Sequence, residues 1–365
     1  MSLSVSLRHR LGDFALDLAF EAPDGVTVLF GRSGSGKTSV INAVAGLMQP
    51  DAGRIAVAGR VLFDSAAGVS VPVHRRRLGY VFQEGRLFPH LTVRQNLIYA
   101  RRVQGLGPDN AALDRVVALL GLESLLDRQP AALSGGEAQR VAIGRALLSD
   151  PVMLLMDEPL AALDGARKAE ILPYLERLRR EAGVPILYVS HNMAEVARLA
   201  THVVAMEGGR VTQAGPAEAM LADPGLVRVM GLRDAGAVLQ ARVLRHGEDG
   251  VSDLQVSGGV LCLPLVDAPV GTDLRVRILA QDVMLATERP RNISALNILP
   301  VTVLALRRGD GPGVIVQVQA GDDLLLARIT RRSADALGLR PGGTCFAVLK
   351  SVAVAPTDIG LGLQS

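Results

Sequence analysis

The sequence predicts an α/β fold with a largely parallel sheet over residues 1–230, followed by a small all-β module. Two observations carry this reading. Over the first 230 residues, short apolar runs alternate with segments of helical periodicity, the pattern of repeated strand–helix units. Around "GLRDAGAVLQARV" (231–243) that texture changes, and short β-prone runs divided by Gly, Pro and Asp take over.

In chain order, "VTVLFG" (26–31) reads as the first buried strand, and a helix is expected from Lys37. Further buried strands are expected at "RLGYVFQ" (77–83), "VMLLMDEP" (152–159), "PILYVSH" (185–191) and "HVVAMEGG" (202–209). Helices are expected over about 110–120, 136–148, 165–182 and 192–199. Beyond them, "GVIVQVQAG", "DLLLARIT" and "GTCFAVLKSVAVA" read as strands of one or two OB-like barrels. Residues 238–285 and 297–355 could be two similar halves.

Composition narrows the class. Hydrophobic residues make up 49% of the chain, aromatics only 3%, and there is no Trp. The net charge of +3 is spread along the sequence, and aromatic stacking platforms are scarce, which argues against a nucleic-acid partner. The densest basic run, "HRRR" (74–77), reads as a solvated edge before a strand. Cys262 and Cys345 lie far from any His cluster and read as free buried thiols in a reducing compartment. Arg8, His9 and Arg10 interrupt the N-terminus before an apolar core forms, so no signal peptide is expected. No run approaches the roughly 20 apolar residues that span a bilayer. The expectation is a cytosolic chain whose membrane work, if any, needs another subunit.

"GRSGSGKT" (31–38) follows a predicted strand and opens a predicted helix, the context a phosphate-binding loop requires. Gly31, Gly34 and Gly36 let the backbone of Gly31, Arg32, Ser33, Gly34, Ser35 and Gly36 curl around phosphates. Lys37 reaches the β- and γ-phosphates, Thr38 offers a hydroxyl to Mg²⁺, and Ser39 is a donor near the α-phosphate. "VMLLMDEP" ends an apolar strand in two carboxylates, with Asp157 toward the metal and Glu158 placed to deprotonate an attacking water. A second anion-binding start lies at "LSGGEAQR" (133–140), where Ser134 and Glu137 have capping-box spacing.

The order of the phosphate loop, "VFQ" with Gln83, "LSGGEAQR", "LLMDEP", "AALD" and "SH" with His191 resembles the ATP-binding-cassette family over residues 1–230. The resemblance implies a phosphate-loop NTPase cassette with a helical signature subdomain. It implies that Gln83 contacts Mg²⁺ and the lytic water, and that His191 contacts the γ-phosphate. It further implies that Ser134, Gly135, Gly136 and Glu137 face ATP held by a second copy of the chain, with Asp164 bridging the two copies. Two departures stand out. Ala161 replaces the Ser that often opens the "AALD" stretch, and no adenine-stacking aromatic is obvious; Phe14 is the candidate, although it alternates with Leu16, Leu18 and Phe20 as a core residue would.

A lone cassette with a β appendage resembles the ATPase subunit of a bacterial importer, and "EGRLFPHLTVRQNL" (84–97) is then the surface that receives the permease. "ISALN" (293–297), "ITRRSADALGLRPGG" (329–343) and "FAVLKSV" (346–352) are similar to the molybdate-binding Mop domain. That likeness implies residues 231–290 as linker and first part of a β regulatory domain, and 291–355 as a Mop-like oxyanion domain. Ser294, Thr330, Lys350 and Ser351 are its candidate anion donors, although Leu296 stands where relatives often have Arg. The chain is thus similar to ATPase subunits of molybdate importers. That likeness implies ATP and Mg²⁺ as cofactors, molybdate as a regulatory ligand, and a peripheral place on the cytoplasmic face of the inner membrane. Its partners would be a second copy, permease subunits and, indirectly, an extracytoplasmic molybdate-binding protein. An ATPase for another oxyanion or iron, a soluble non-transport cassette, and an oxyanion sensor remain alternatives.

Overall fold

Leu3, Val5 and Leu7, then Leu16, Leu18 and Phe20, recur at every second residue and are buried on one face. They form β1 (Leu3–Leu11) and β2 (Phe14–Ala22), joined by two residues and therefore antiparallel. In the computed structural model, residues 2–103, 105, 107–227, 231–309 and 311–362 are described. The chain divides into two units: one runs to Asn192 and resumes over Leu199–Ala214, the other takes Met193–Arg198 and the chain from Gly215.

After β1 and β2, the first unit holds β3 (Val26–Phe30), α1 (Lys37–Ala45), β4 (Ala52–Val57), β5 (Arg60–Asp64), β6 (Val69–Ser70) and β7 (Leu78–Val81). Three helices follow: α2 (Val93–Val103), α3 (Asn110–Leu120) and α4 (Gly135–Leu147). Then come β8 (Met153–Asp157), α5 (Gly165–Glu181) and β9 (Ile186–Ser190); α6 (Met193–Leu199) is grouped with the second unit as far as Arg198. β10 (His202–Glu207) and β11 (Arg210–Pro216) complete the strands of this part. The central sheet has the order β11-β10-β3-β9-β8-β7, with β10, β3, β9, β8 and β7 parallel.

The structure adds to the sequence reading at two points and corrects it at one, the "HRRR" run. A second, antiparallel sheet (β2-β1-β4-β5-β6) accompanies the parallel one, and Leu7, Leu16, Ile41, Val44, Leu155 and Val189 share one core around α1. Short connections such as Gly12–Asp13 dictate that antiparallel pairing. The "HRRR" run is not wholly solvated, because Arg76 is buried. Its guanidinium donates to Ala43 O and Val44 O at 2.8 Å each and to Val71 O at 2.8 Å, completing carbonyls at the end of α1. Within 84–97, the chain is partly packed: Leu97 is buried and the Phe88 ring lies 4.2 Å from Tyr99. A capping box starts α2, with Thr92 N–H donating to Gln95 Oε1 at 2.9 Å and Gln95 N–H to Thr92 Oγ1 at 3.3 Å.

The second unit adds α7 (Ala217–Leu221), β12 (Gly236–His246), β13 (Val251–Val256), β14 (Gly259–Pro264), β15 (Asp273–Leu279) and β16 (Met284–Ala286). It continues with β17 (Asn297–Arg308), β18 (Gly313–Ala320), β19 (Asp323–Thr330), α8 (Arg331–Ala336), β20 (Thr344–Leu349) and β21 (Ile359–Leu361). Two antiparallel sheets, β14-β13-β12-β15-β21 and β16-β20-β17-β18-β19, enclose one apolar core. Their plans match: a three-strand meander, a fourth strand beside the first, and a register shift in each long hairpin, at Val243/Arg245 and at Val303/Ala305. The fifth strands are exchanged, since β16 joins the later sheet and β21 returns to the earlier one. Both cysteines are free thiols, Cys345 buried and Cys262 only partly so. No helix among the described residues is long and apolar enough to cross a membrane.

Candidate functional site

The carboxyl ends of β3, β9, β8 and β7 lie along one edge of the parallel sheet, where open α/β folds place their ligands. Register fixes what emerges there: Phe30 pairs with Ser190, Asp157 with Val189, and Val81 with Met156. The phosphate loop, His191, the Asp157–Glu158 pair and Gln83 therefore leave the sheet at the same edge.

The loop 31–38 is built for backbone alone. A Cβ on Gly31 would stand 2.3 Å from Met206 O, and one on Gly36, whose φ is 96°, would stand 2.5 Å from Leu16 Cδ2. Arg32, Ser33 and Gly34 are exposed on the rim, Ser35 is buried, and Ser39 is half-buried one residue beyond Thr38. Lys37 is buried, its ammonium donating to Gly31 O at 2.8 Å and Arg32 O at 3.0 Å. Burial pushes its pKa down, while the charges of Glu158 and Asp157 push it up. Phe14 shares the core face of β2 and is half-buried, its ring edge packed toward Gly36.

Two hydroxyls approach Asp157. Thr38 Oγ1 donates to Oδ1 at 3.2 Å, and Tyr80 Oη, 3.5 Å from Oδ2, shares its one proton with Asn42 Oδ1 at 3.0 Å. Burial raises the Asp157 carboxyl; the Thr38 hydrogen bond lowers it, and the Glu158 charge raises it again. Burial and the Asp157 charge raise the Tyr80 phenol above its ordinary range. Glu158 has φ 44°, a strained value for a non-glycine residue, and its Oε1 stands 3.1 Å from His191 Nδ1. Gln83 lies on an exposed stretch beyond β7, with no hydrogen bond to Thr38 or Asp157. Sequence reading missed Tyr80 and Asn42, whose roles arise only from tertiary approach.

These groups fit a nucleotide with a divalent cation. Ser35 Oγ is buried without a hydrogen-bond partner among the described residues, as a donor awaiting a phosphate would be. Among the described residues, no group of three or more His, Cys, Asp or Glu gathers to hold a metal. A hard cation would take the Thr38 hydroxyl and the Asp157 carboxylate from the chain, and its remaining oxygens from phosphate and water.

The second anion-binding start folds as its spacing predicts. Ser134 caps α4: its N–H donates to Glu137 Oε2 at 2.7 Å, and Glu137 N–H donates to Ser134 Oγ at 3.2 Å. Gly135 is exposed at the helix start and Gly136 is buried against Ile171. The same helix grips the Gln83 segment, a link not foreseen from sequence: Gln139 Nε2 donates to Phe82 O at 3.2 Å, and Arg145 to Arg86 O at 2.9 Å and Gly85 O at 3.1 Å. Asp164 caps α5, accepting from Arg167 N at 2.9 Å.

The candidate oxyanion residues do not meet within one chain. Ser294, Lys350 and Ser351 lie at the sheet end where Asn297 pairs with Leu349. Thr330 lies at the opposite end, where Gly313 pairs with Thr330, and its hydroxyl accepts from Ser333 N at 3.1 Å to cap α8. Ser351 Oγ is buried without a hydrogen-bond partner among the described residues, and Lys350 is exposed.

Comparison with known proteins follows the same division. Residues 16–161 match the ABC transporter family, and residues 293–356 match the TOBE domain. The Molybdenum import ATP-binding protein ModC of Mesorhizobium japonicum is 53% identical, the match covering 100% of this chain and 98% of that one. The protein of the same name from Rhizobium meliloti is 53% identical over 97% and 99%, and that from Rhodospirillum rubrum 50% identical over 98% of each. Among solved structures, cbiO1 from Clostridium perfringens, part of the ABC transporter complex cbiONQ, matches with a TM-score of 0.54 at 28% identity. That match covers 62% of this chain and 92% of the other.

Proposed function

The chain belongs to the family of molybdenum import ATP-binding proteins of ABC transporters, and from that premise we propose a division of labour among its residues. The protein is the ATPase subunit of a molybdate importer: it binds and hydrolyses ATP, and its partner is a transmembrane permease. The observation that carries the catalytic reading is the convergence of Lys37, Thr38, Asp157, Glu158 and His191 at one sheet edge, with His191 Nδ1 3.1 Å from Glu158 Oε1.

Lys37 and the backbone of 31–36 hold the β- and γ-phosphates, Ser39 donates near the α-phosphate, and Phe14 stacks on adenine. Thr38, Asp157 and Gln83 hold Mg²⁺. When bound, the ion draws charge from the phosphate oxygens and eases loss of the leaving diphosphate. Glu158 accepts a proton from the attacking water as the water oxygen bonds to the γ-phosphorus and the bond to the leaving diphosphate breaks. His191 orients Glu158 and contacts the γ-phosphate. Ser134, Gly135, Gly136 and Glu137 complete the ATP site of a second copy, and Asp164 lies between the copies. The assembly sits peripherally on the cytoplasmic face of the inner membrane and receives molybdate from an extracytoplasmic binding protein through the permease. In the β domain, Ser294, Lys350 and Ser351 of one copy bind an oxyanion together with Thr330 of the other. Ile293, Leu296 and Val352, exposed beside the first three, offer that second copy an apolar rim.

Glu158→Gln tests the catalytic reading, because it preserves shape and removes the base. ATP turnover falls by about 10²–10⁴-fold, ATP affinity stays near wild type, and a nucleotide-bound dimer accumulates on gel filtration. Near-normal turnover in this variant contradicts the assignment.

A further inference from the structure

We propose that Tyr80 is a positioning residue for the metal-side carboxylate. Seated between Asn42 on α1 and Asp157 on β8, its hydroxyl fixes Asp157 Oδ2 so that Oδ1 stays turned toward Thr38. The inference rests on the reading of Asp157 as a carboxylate that holds Mg²⁺.

A carboxylate turns easily about its last torsion, which has a broad rather than a three-welled profile. One hydrogen bond, from Thr38 Oγ1 to Oδ1 at 3.2 Å, leaves that rotation open. A second hydroxyl, 3.5 Å from the other oxygen, restrains it. The phenol's one proton is shared between that oxygen and Asn42 Oδ1, to which it donates at 3.0 Å and which holds the hydroxyl in place. Asn42 is in turn held by the end of α1, where its carbonyl accepts from Leu47 N at 2.9 Å and Met48 N at 3.2 Å. The Tyr80 ring packs 4.2 Å from the Phe82 ring, over which the Arg86 guanidinium lies at 4.3 Å. Phe82 adjoins Gln83, and its carbonyl is held by Gln139 of α4. A displacement of the Gln83 segment therefore reaches the metal-side carboxylate through two packed rings and one hydroxyl.

Tyr80→Phe keeps the ring and deletes the hydroxyl, so a fluorescent ATP analogue titrated onto the full chain, in Mg²⁺ and in EDTA, isolates the effect. Affinity in EDTA stays within about twofold of wild type. The tightening produced by Mg²⁺ shrinks about three- to tenfold, the net worth of one hydrogen bond, and the Mg²⁺ concentration that half-saturates ATP hydrolysis rises by the same factor. Asp157→Asn alone abolishes the tightening, and adding Tyr80→Phe to it causes no further loss, because Tyr80 acts through Asp157. Full tightening in Asp157→Asn overturns the metal reading and this inference with it. Loss in Asp157→Asn with full tightening in Tyr80→Phe leaves the metal reading standing and makes Tyr80 a packing residue only. A lower melting temperature with unchanged Mg²⁺ dependence overturns the proposal in the same way.

Discussion

Ser351 keeps a hydroxyl buried without a hydrogen-bond partner among the described residues, an arrangement that costs about 1–3 kcal/mol unless something completes it. Lys350 beside it is exposed, and Ser294 lies at the same end of the sheet. A hydroxyl and an ammonium together suit a dianion, whose desolvation requires several converging donors. In the complete transporter, molybdate added on the cassette side is expected to inhibit ATP hydrolysis. Lys350→Ala should raise the half-inhibiting concentration at least about tenfold, the scale of one charge-assisted hydrogen bond. Equal inhibition of wild type and variant removes Lys350 from the anion site.

Among the elements, α4 carries the most testable geometry. Its capping box turns bare N–H groups outward, and Gly135 sits exposed at that start. If α4 completes the ATP site of a second copy, as proposed, Gly135→Asp sets a carboxylate against that copy's γ-phosphate. ATP-driven dimerisation, followed by light scattering, should be abolished, while nucleotide binding to the monomer stays near wild type. Loss of monomer binding instead would mean that α4 serves its own chain's nucleotide. This helix was legible in the sequence because its signal is local, with Ser134 and Glu137 three residues apart. The same spacing at Thr92 and Gln95 lies inside the stretch assigned to the permease surface, where no helix start is expected. Arg76 was illegible for a different reason: a charge reads as surface, and the carbonyls it completes, Ala43 and Val44, lie more than thirty residues away. Tyr80 looked like one apolar position in a strand, and only the folded neighbours Asn42 and Asp157 give its hydroxyl a task. The antiparallel strands β1 and β2 were visible as alternation at Phe14, Leu16, Leu18 and Phe20, yet the parallel pattern of the longer apolar runs dominated the reading.

At the scale of the whole molecule, the chain joins an ATP-hydrolysing unit to a β unit whose two sheets repeat one plan with exchanged edge strands. That exchange ties the halves of the β unit together, since a cut near residue 290 would part β16 from β20 of the later sheet and β21 from β15 of the earlier one. Among the described residues, neither unit contains a helix long and apolar enough to cross a membrane, and the likeness to ABC importer ATPases implies a transmembrane permease as partner. The central claim, that ATP hydrolysis by this chain drives molybdate uptake, is tested most directly in a transporter reconstituted in proteoliposomes with its permease. ATPase rate is measured as the extracytoplasmic binding protein is added, loaded in turn with molybdate, tungstate, sulfate or no ion. The molybdate-loaded protein is expected to stimulate hydrolysis severalfold over the empty one, together with movement of molybdate across the bilayer. Stimulation by the sulfate-loaded protein with none by molybdate, or hydrolysis indifferent to every oxyanion, would contradict it.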